Sequence, residues 1–341
     1  MYSVSGNEIG SEFWSAPVEE PISTLFSSEV QFYVSGRSAL VSIAKELKDC
    51  KTVAIPSWCC DSMIKPFIDA GLNVEFYPVS FCEGNTIVSG IKSDVLLILD
   101  YFGYADRVAI ADDYKGIVIR DVTHTLFTKT YDDADYYFGS LRKWCGVWTG
   151  GFAWTRDGHS LQYDEGDGSD YIALRRKAME EKQEYINGFA ESGKAYLDVF
   201  SRAEELLDVL PALPASQRDI DLACHLDTDF IKARRRKNAD ILMSELVNYL
   251  LFHEMSETDV PLFVPIILPE SIRDKLKLYL IKRDIYCPVH WPLTDYHKLS
   301  DEMKKIYGRE LSLVCDQRYD ENDMYRIVEA VNDFFRENKD C

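Results

Sequence analysis

Three short segments of the chain contain side chains with chemical potential, and each stands at the end of a predicted element. Residues Ser35 to Ser38 precede a helix-forming run, Asp121 ends the apolar segment GIVIRD, and Lys143 follows the strand-like segment ADYYFG. The carboxyl ends of parallel strands meet in one crevice of a sheet. We therefore expect an anion-binding loop, a carboxylate and an amine to lie together in one site.

The first segment, Ser35-Gly36-Arg37-Ser38, has the features of a phosphate-binding loop. Gly36 permits a tight turn, free amide groups at a helix start donate to phosphate oxygens, and the helix dipole favours the negative charge. The Arg37 guanidinium and the Ser38 hydroxyl are candidate further donors. Taken alone, a serine at such a place is more often an ordinary helix cap.

The second segment places Asp121 directly after a strand of the buried type, with His124 three residues later. An ionised carboxylate there would pair with a protonated ring nitrogen of a cofactor and keep that ring an acceptor of electrons. His124 would hydrogen-bond the cofactor or orient Asp121. The alternative is an acidic turn residue beside a structural histidine.

The third segment places Lys143 among aromatic residues and glycines rather than among surface charges, with Ser140 three residues before it. Such surroundings favour a lowered amine pKa and Schiff-base chemistry. An isolated lysine after a strand is usually a surface residue. The order of phosphate loop, aspartate and lysine nevertheless indicates pyridoxal 5'-phosphate (PLP), with Lys143 as the amine and proton carrier.

The elements that must position these residues form a repeating pattern. Short apolar runs alternate with helical stretches between Thr52 and Asp121, which is typical of a mostly parallel sheet covered by helices. Long charged helices follow from about residue 169, and then a small α+β unit ends in an amphipathic helix capped by Asp320. We predict an α/β fold with a large domain over residues 1–215. A helical connector and a small C-terminal domain occupy residues 216–341.

Composition excludes several classes of protein. With 38 basic and 57 acidic residues the net charge is −19, which disfavours nucleic acid and anionic membranes as partners. The first residues show no leader pattern, and no apolar stretch is long enough to span a membrane, so a cytoplasmic protein is predicted. Nine scattered cysteines and six histidines lack metal-ligand spacing and predict reduced thiols and no metal site. The basic run Lys232 to Lys237 reads as a solvated helix face, or else as a subunit or substrate contact.

At these residues the chain resembles the DegT/DnrJ/StrS family of PLP-dependent sugar aminotransferases, which have the aspartate aminotransferase fold. Residues 35–40 are similar to the family's phosphate loop, Asp121 with His124 to its D-x-x-Q/H pair, and residues 140–151 to its lysine segment with a trailing Gly-Gly. The stretch Val289 to Leu293 resembles its late substrate loop. The chain departs from the family at Arg37, where threonine is common, at Phe138, where a phosphate serine is usual, and at Thr149, where an acid is usual.

The resemblance implies roles for individual residues. Lys143 would form the Schiff base and Asp121 would hold the pyridine nitrogen. The residues expected to contact the cofactor are Gly36, Arg37, Ser38, Trp58, Cys59, Asp121, His124, Ser140 and Lys143. Either Trp58 or Cys59 would lie over the ring, and His290 and Trp291 would line the substrate side. The resemblance also implies a homodimer in which Arg218 first, and Arg234 to Arg236 second, approach the partner's site.

The expected activity is transfer of an amino group from an amino acid such as glutamate to a nucleotide-linked keto sugar, in surface polysaccharide or secondary-metabolite biosynthesis. Lys143 argues against the dehydratase branch of the family, which has histidine at this position. Two alternatives stay open from the sequence. One is another PLP-dependent reaction on an amino acid, elimination or racemisation, and the other is a non-catalytic binding relative.

Overall fold

The computed structural model describes residues 8–19, 25–27, 29–81, 86–129, 131–189 and 193–338 of the chain. Residues 1–7, which belong to the N-terminal stretch predicted to show no leader pattern, lie outside the described residues. Cys82 and Cys341 also lie outside them. The strands are β1 (Ile9–Gly10), β2 (Gln31–Tyr33), β3 (Thr52–Pro56), β4 (Asn73–Tyr77), β5 (Thr86–Val88), β6 (Val95–Leu99), β7 (Val108–Ile110), β8 (Ile117–Asp121), β9 (Tyr136–Ser140), β10 (Gly151–Thr155), β11 (Val264–Ile267), β12 (Ile285–Tyr286) and β13 (Glu310–Leu313). The helices are α1 (Gly36–Glu46), α2 (Asp61–Asp69), α3 (Ser169–Ile186), α4 (Tyr196–Leu207), α5 (Gln217–Ala223), α6 (Thr228–Glu245), α7 (Glu270–Ile281), α8 (Asp301–Lys304) and α9 (Glu321–Glu337).

Seven strands form the central sheet in the order β2-β10-β9-β8-β6-β3-β4. The pairs from β9 through β8, β6 and β3 to β4 are parallel, whereas β10 runs antiparallel to both β9 and β2. All five residues of β6, VLLIL, are buried, as expected for a strand covered on both faces. The predicted mostly parallel sheet is thereby confirmed.

The register of the sheet sets where the site lies. Strands β8 and β9 are parallel neighbours, with Asp121 opposite Phe138. Both strands therefore end at the same edge of the sheet, and Lys143 follows β9 in a short 3-10 turn, Leu141–Lys143. Helices α1 and α2 pack on each other and begin at this edge, since α2 starts five residues after β3 ends.

A second hydrophobic core belongs to the C-terminal unit. Antiparallel strands β11 and β13 pack with α6, α7 and α9, and a capping box formed by Asp320 and Asp323 begins α9. The predicted cap at Asp320 is thereby confirmed. The division at residue 215 stays a prediction, because residues beyond it, such as Ala223 and Ile231, pack in the core of the large sheet.

The N-terminal segment, residues 8–19, connects the two cores. Its strand β1 pairs in parallel with β12 of the C-terminal unit, through Ile9 opposite Ile285. Further along, Ser15 accepts a hydrogen bond from the Gly146 amide at 2.8 Å, so the segment crosses the chain just beyond Lys143. Arg318 donates to the Glu12 carbonyl at 3.0 Å and holds the segment from the other side.

The basic run Lys232 to Lys237 lies on α6, and one of its members contradicts the sequence prediction. Arg235 is fully buried, donates to Gln317 Oε1 at 2.8 Å and to the Leu262 carbonyl at 3.0 Å, and lies over the Trp144 ring at 4.5 Å. The prediction of a solvated helix face or of a contact with another subunit is therefore wrong for Arg235. Its charge is dispersed over carbonyl oxygens and an aromatic face, and the charge of the nearby Asp316 carboxylate also favours the ionised guanidinium.

Three further observations concern the described residues as a whole. None of their helices combines the length and the apolar character that crossing a bilayer requires. Within the same ranges, no cluster of three or more histidine, cysteine or acidic side chains has the arrangement of a metal site. The seven cysteines that lie there have free thiols.

Candidate active site

Asp121 is buried at the end of β8, where its carboxylate has few polar neighbours. Its Oδ1 accepts a hydrogen bond from the Thr123 amide at 2.7 Å. Burial raises the pKa of Asp121 to about 6, although the Thr123 hydrogen bonds and the charge of Lys143 oppose that change. The side chain is thus a buried acid whose ionised form lacks a close cationic partner among the described residues.

Lys143 is exposed at the edge of the sheet, and neighbouring residues on both sides of it are held by hydrogen bonds. The Leu141 amide donates to the Gly150 carbonyl at 2.7 Å, and Trp144 Nε1 donates to the Thr123 carbonyl at 2.6 Å. The second bond ties the lysine turn to the loop that follows Asp121. The predicted convergence of the Asp121 and Lys143 segments at one edge is therefore present in the structure.

His124 is buried beside the same crevice in a defined tautomer. Its Nδ1 accepts a hydrogen bond from the Phe102 amide at 3.1 Å, so Nδ1 is unprotonated and Nε2 carries the proton. Burial holds the pKa of His124 well below its usual range, and the nearby charges of His290 and Lys143 act in the same direction. The ring is therefore a neutral donor at neutral pH.

The start of α1 packs closely on the end of β9. A Cβ atom added to Gly36 would lie 3.2 Å from the Gly139 carbonyl oxygen and 3.3 Å from Ser140 Cβ. Any larger side chain here would force its neighbours to move by a few tenths of an ångström, so Gly36 favours this approach, which brings the amide groups at the helix start next to Ser140. The Gly36 and Arg37 amides precede the first intrahelical bond, which the Ala39 amide makes to the Ser35 carbonyl, and they are available to an anion.

Two predicted donors of this loop have partners within the chain. The Arg37 guanidinium forms an ion pair with Asp208, the residue directly after α4. The Ser38 amide donates to the Ser35 hydroxyl at 3.1 Å, and the two serine hydroxyls lie 3.0 Å apart. Ser35 is the cap of α1, so the ordinary cap that the sequence allowed is present beside the anion-binding arrangement.

Trp58 and Cys59 lie in the core rather than in the crevice. Trp58 is fully buried, stacks on Tyr101 with ring centroids 5.0 Å apart, and donates through Nε1 to the His290 carbonyl. Cys59 is also fully buried, and its amide donates to the Tyr307 hydroxyl at 3.1 Å. This placement differs from the prediction that one of them covers a cofactor ring, because neither side chain has a surface open to a ligand.

Cys60 and Ser62, which sequence reasoning did not select, lie at the start of α2, beyond the end of β3 at this edge of the sheet. Cys60 is partly buried at the start of α2, and its Sγ lies 2.8 Å from the Ser62 hydroxyl. Burial raises the pKa of the Cys60 thiol, while the Ser62 hydrogen bond and the charge of Lys143 lower it and Asp121 raises it. In the sequence, only its position directly after Cys59 distinguishes this residue.

His290 and Trp291 form a wall beside His124. The Trp291 ring stacks on His124 at 5.7 Å with an interplanar angle of 27°. The His290 amide donates to Glu310 Oε2 at 2.7 Å, and His290 Nδ1 lies 3.0 Å from the Ser312 hydroxyl. The wall is thus fixed by two buried polar residues of β13, which the sequence analysis missed because their partners are distant in the chain.

Arg218, at the start of α5, is held within its own chain. Its guanidinium donates to Asp219 Oδ1 at 2.6 Å and lies over the Trp148 ring at 4.2 Å. Asp219 also accepts from the Thr149 amide at 2.8 Å, which connects α5 to the segment before Gly151. The Arg218 side chain keeps 43% of its surface exposed, and its approach to a partner subunit stays a prediction.

Comparison with known proteins identifies relatives by structure only. No known family profile matches the sequence, and no curated protein matches it. The aminotransferase TlmJ from Streptoalloteichus hindustanus is 14% identical, with a TM-score of 0.62 over 99% of this chain and 100% of that one. Spr1654 from Streptococcus pneumoniae, described as a sugar aminotransferase and solved in its PLP form, is 14% identical, with a TM-score of 0.61 over 96% of this chain and 99% of that one.

A third similar structure bears the family name to which the sequence motifs point. A DegT DnrJ EryC1 StrS aminotransferase from Brucella abortus is 14% identical, with a TM-score of 0.57 over 89% of this chain and 85% of that one. At such identities the likeness establishes the fold. The chain therefore has the α/β fold of these aminotransferases, as the sequence predicts.

Proposed function

We propose that the protein is a PLP-dependent aminotransferase of the DegT/DnrJ/StrS type. It would transfer an amino group from an amino acid such as glutamate to a keto sugar. The observation that carries this proposal is the placement of an exposed lysine and a buried acid at the same edge of the sheet. Lys143 and Asp121 end neighbouring segments of a fold that known aminotransferases share, and the charge of one acts on the other.

The residues present fit the ring of PLP. The buried carboxylate of Asp121 has its pKa raised to about 6 by burial, so a protonated pyridine nitrogen beside it would supply the missing cation. The neutral His124 ring presents an N–H donor through Nε2 because Nδ1 accepts from the Phe102 amide. An oxygen substituent of the cofactor ring would be a suitable acceptor for this donor.

The residues also fit the phosphate of PLP. The close approach of Gly36 to β9 brings the amides at the start of α1 next to the Ser140 side chain. A helix start and a hydroxyl are suitable donors to a phosphate dianion. In a chain of net charge −19 such local donors are essential. We propose Gly36, Ser140 and the first turn of α1 as the phosphate site, with Arg37 joining it if its ion pair with Asp208 opens.

The chemistry follows from these roles. When bound, PLP supplies an electron-accepting ring that stabilises negative charge on the substrate α-carbon. Lys143 Nζ would hold the cofactor covalently and, once released, would move a proton from the substrate α-carbon to the cofactor carbon on the other side of the shared nitrogen. Asp121 keeps the proton on the ring nitrogen. Trp291 and His290 cover the substrate side and exclude water from the reacting atoms.

Amino transfer to a sugar is preferred over the alternatives for two reasons. The solved structures with the same fold include several named as sugar aminotransferases, and the chain retains both the lysine and the acid that the reaction uses. Elimination or racemisation would use the same two residues. We propose a cytoplasmic location for this activity.

A homodimer is part of the proposal. Lys143 is exposed in the single chain, although a reactive amine and its cofactor need protection from water. Arg218 lies on the exposed surface near the segment that precedes Gly151, where a second copy could use it. We propose that a two-fold related chain covers the site and contributes Arg218 to it.

The function is tested by following the products from single amino acids. The protein, loaded with PLP, is incubated with each amino acid in turn, and keto acid, ammonia and the D-isomer are measured separately. Without an added amino acceptor, we expect one keto acid in a molar amount equal to that of the enzyme. With a keto sugar as acceptor, we expect continuous turnover. Release of ammonia would indicate elimination instead, the D-isomer would indicate racemisation, and no product with any amino acid would favour a binding protein.

A further inference from the structure

We infer that the thiol of Cys60, oriented by the Ser62 hydroxyl, lies against the face of the cofactor ring. This inference rests on the proposed function and adds one contact residue to it. It assigns the cover of the ring to a small sulfur group, whereas the resemblance to sugar aminotransferases implies Trp58 or Cys59. It follows from the directions in which three consecutive side chains point.

In the chain after β3, the side chains of Cys59 and Cys60 point to opposite sides. Cys60 has extended backbone angles, φ −91° and ψ 160°, and successive side chains of an extended chain point in opposite directions. Cys59 is fully buried in the core, and its amide donates to the Tyr307 hydroxyl at 3.1 Å. Cys60 is only partly buried where it packs against the same core, so its side chain is the one of the two that is open to the crevice.

The position of Cys60 relative to the two reacting groups defines what it would touch. Cys60 follows β3, which runs parallel to β6 and β8 and therefore ends at the same edge of the sheet as Asp121. The charges of Lys143 and Asp121 both act on the Cys60 thiol, in agreement with this position. In the proposed site Lys143 would hold the ring through its amine, and Asp121 would pair with the ring nitrogen. A side chain near both groups therefore lies next to the ring itself.

Ser62 fixes the thiol in this position. The Cys60 Sγ and the Ser62 Oγ are 2.8 Å apart, and both residues belong to the first turn region of α2. Trp58, in contrast, has no exposed surface and is held by its hydrogen bond to the His290 carbonyl. A sulfur atom contacts an aromatic ring favourably and occupies less space than an indole would. The substrate side of the ring would consequently have more room.

Differential alkylation tests this inference on the whole protein. The protein is treated with N-ethylmaleimide with and without bound PLP, and the rate at each cysteine is measured by mass spectrometry. Borohydride reduction of a parallel sample shows whether PLP is attached to Lys143. Cys50 is the internal control, because it is also partly buried but precedes β3, at the opposite end of the sheet from Cys60. Cys60→Ala and Cys50→Ala variants provide a second, spectroscopic reading.

We expect bound PLP to slow alkylation of Cys60 by about tenfold or more and to leave Cys50 unchanged, since only a group next to the ring is shielded. The absorbance maximum of the bound cofactor should shift in Cys60→Ala but not in Cys50→Ala. If PLP is attached to Lys143 and Cys60 still reacts at the unprotected rate, the inference is overturned while the proposed function stands. A sample without the Lys143 adduct would overturn both.

Discussion

At the scale of residues, the central feature of the site is Asp121, an acid whose burial disfavours its ionised form. Asp121 accepts a hydrogen bond from the Thr123 amide, yet burial still raises its pKa to about 6 from an ordinary value of 3.8. The folded protein without cofactor therefore binds a proton more tightly than the unfolded chain does. Stability from this proton is fully present below the unfolded pKa and is lost as pH rises through the folded pKa.

Replacing Asp121 with asparagine should stabilise the cofactor-free protein at about pH 8, by about 2 to 3 kcal/mol at most, because the buried charge is removed. The advantage should shrink as pH falls from about 6 towards about 4, where the aspartate itself becomes neutral. Urea denaturation across this range measures it. Added PLP should stabilise the wild type more than the variant, and the variant should turn over poorly. An advantage that does not change with pH would contradict the assigned role of the Asp121 charge.

The reacting residues could be predicted from the sequence, whereas their neighbours could not. Asp121, His124 and Lys143 stand at the ends of strands whose apolar runs are visible in the sequence, so their meeting point follows from sheet geometry. The choice among Trp58, Cys59 and Cys60 depends on the direction of single side chains after β3. A pattern of residue types does not contain that information.

At the scale of elements, the close contact between α1 and β9 defines the anion-binding loop. Gly36 is the residue that permits it, since an added Cβ atom would lie 3.2 Å from the Gly139 carbonyl oxygen. The Ser35 cap fixes where the helix begins. A small displacement of α1 would therefore move its amides away from Ser140 without unfolding the helix.

The variant Gly36→Ala should weaken PLP binding by about tenfold, or about 1.4 kcal/mol, and leave stability nearly unchanged. Alanine favours a helix more than glycine does, which offsets the strain of the shifted contact. Gly168→Ala is the matched control, because Gly168 also begins a helix and its added Cβ atom would lie 3.5 Å from a Leu213 methyl group, an ordinary distance. Titration with PLP measures both variants. Equal affinities would show that the approach of α1 to β9 does not shape the phosphate site.

The elements themselves were largely predictable, with exceptions that have physical causes. The buried strands β3, β6 and β8 and the capped helix α9 follow from apolar runs and a local capping pattern. The charged region after residue 169 is divided into α3 and α4, which its composition does not reveal. The pairing of β1 with β12 joins segments at opposite ends of the chain, so local patterns cannot indicate it.

At the scale of the whole molecule, the N-terminal segment and the proposed second subunit determine how the site is enclosed. Residues 8–19 connect the C-terminal unit to the chain beyond Lys143, and Glu12 there pairs with the buried Arg175 at 3.3 Å. Arg175 and the charge of Lys143 are among the causes that hold the pKa of Glu12 at about 2 against the effect of burial. One side of the crevice is thus closed within the chain, and the exposed Lys143 leaves the other side for a partner.

Mixing two inactive variants tests the shared site. If Arg218 acts across the interface, Lys143→Ala subunits mixed with Arg218→Ala subunits should recover about a quarter of wild-type activity, because half of the dimers are mixed and each has one intact site. A mixture of Lys143→Ala and Asp121→Asn is the control and should recover none, since both residues serve the same chain's site. Absence of recovery in the first mixture, or an active monomer in solution, would refute the shared site.

The attachment of the cofactor to Lys143 is the central claim and can be measured directly. The purified protein is saturated with PLP, reduced with borohydride and digested, and the phosphopyridoxyl group is located by mass spectrometry. Lys129→Ala serves as a control for surface lysines, because Lys129 is an exposed residue that forms an ion pair with Asp106 and a ring contact with Tyr131. The account predicts one modified peptide, containing Lys143, that persists in Lys129→Ala and is absent from Lys143→Ala. A stoichiometric adduct on any other lysine, or none on Lys143, would contradict it.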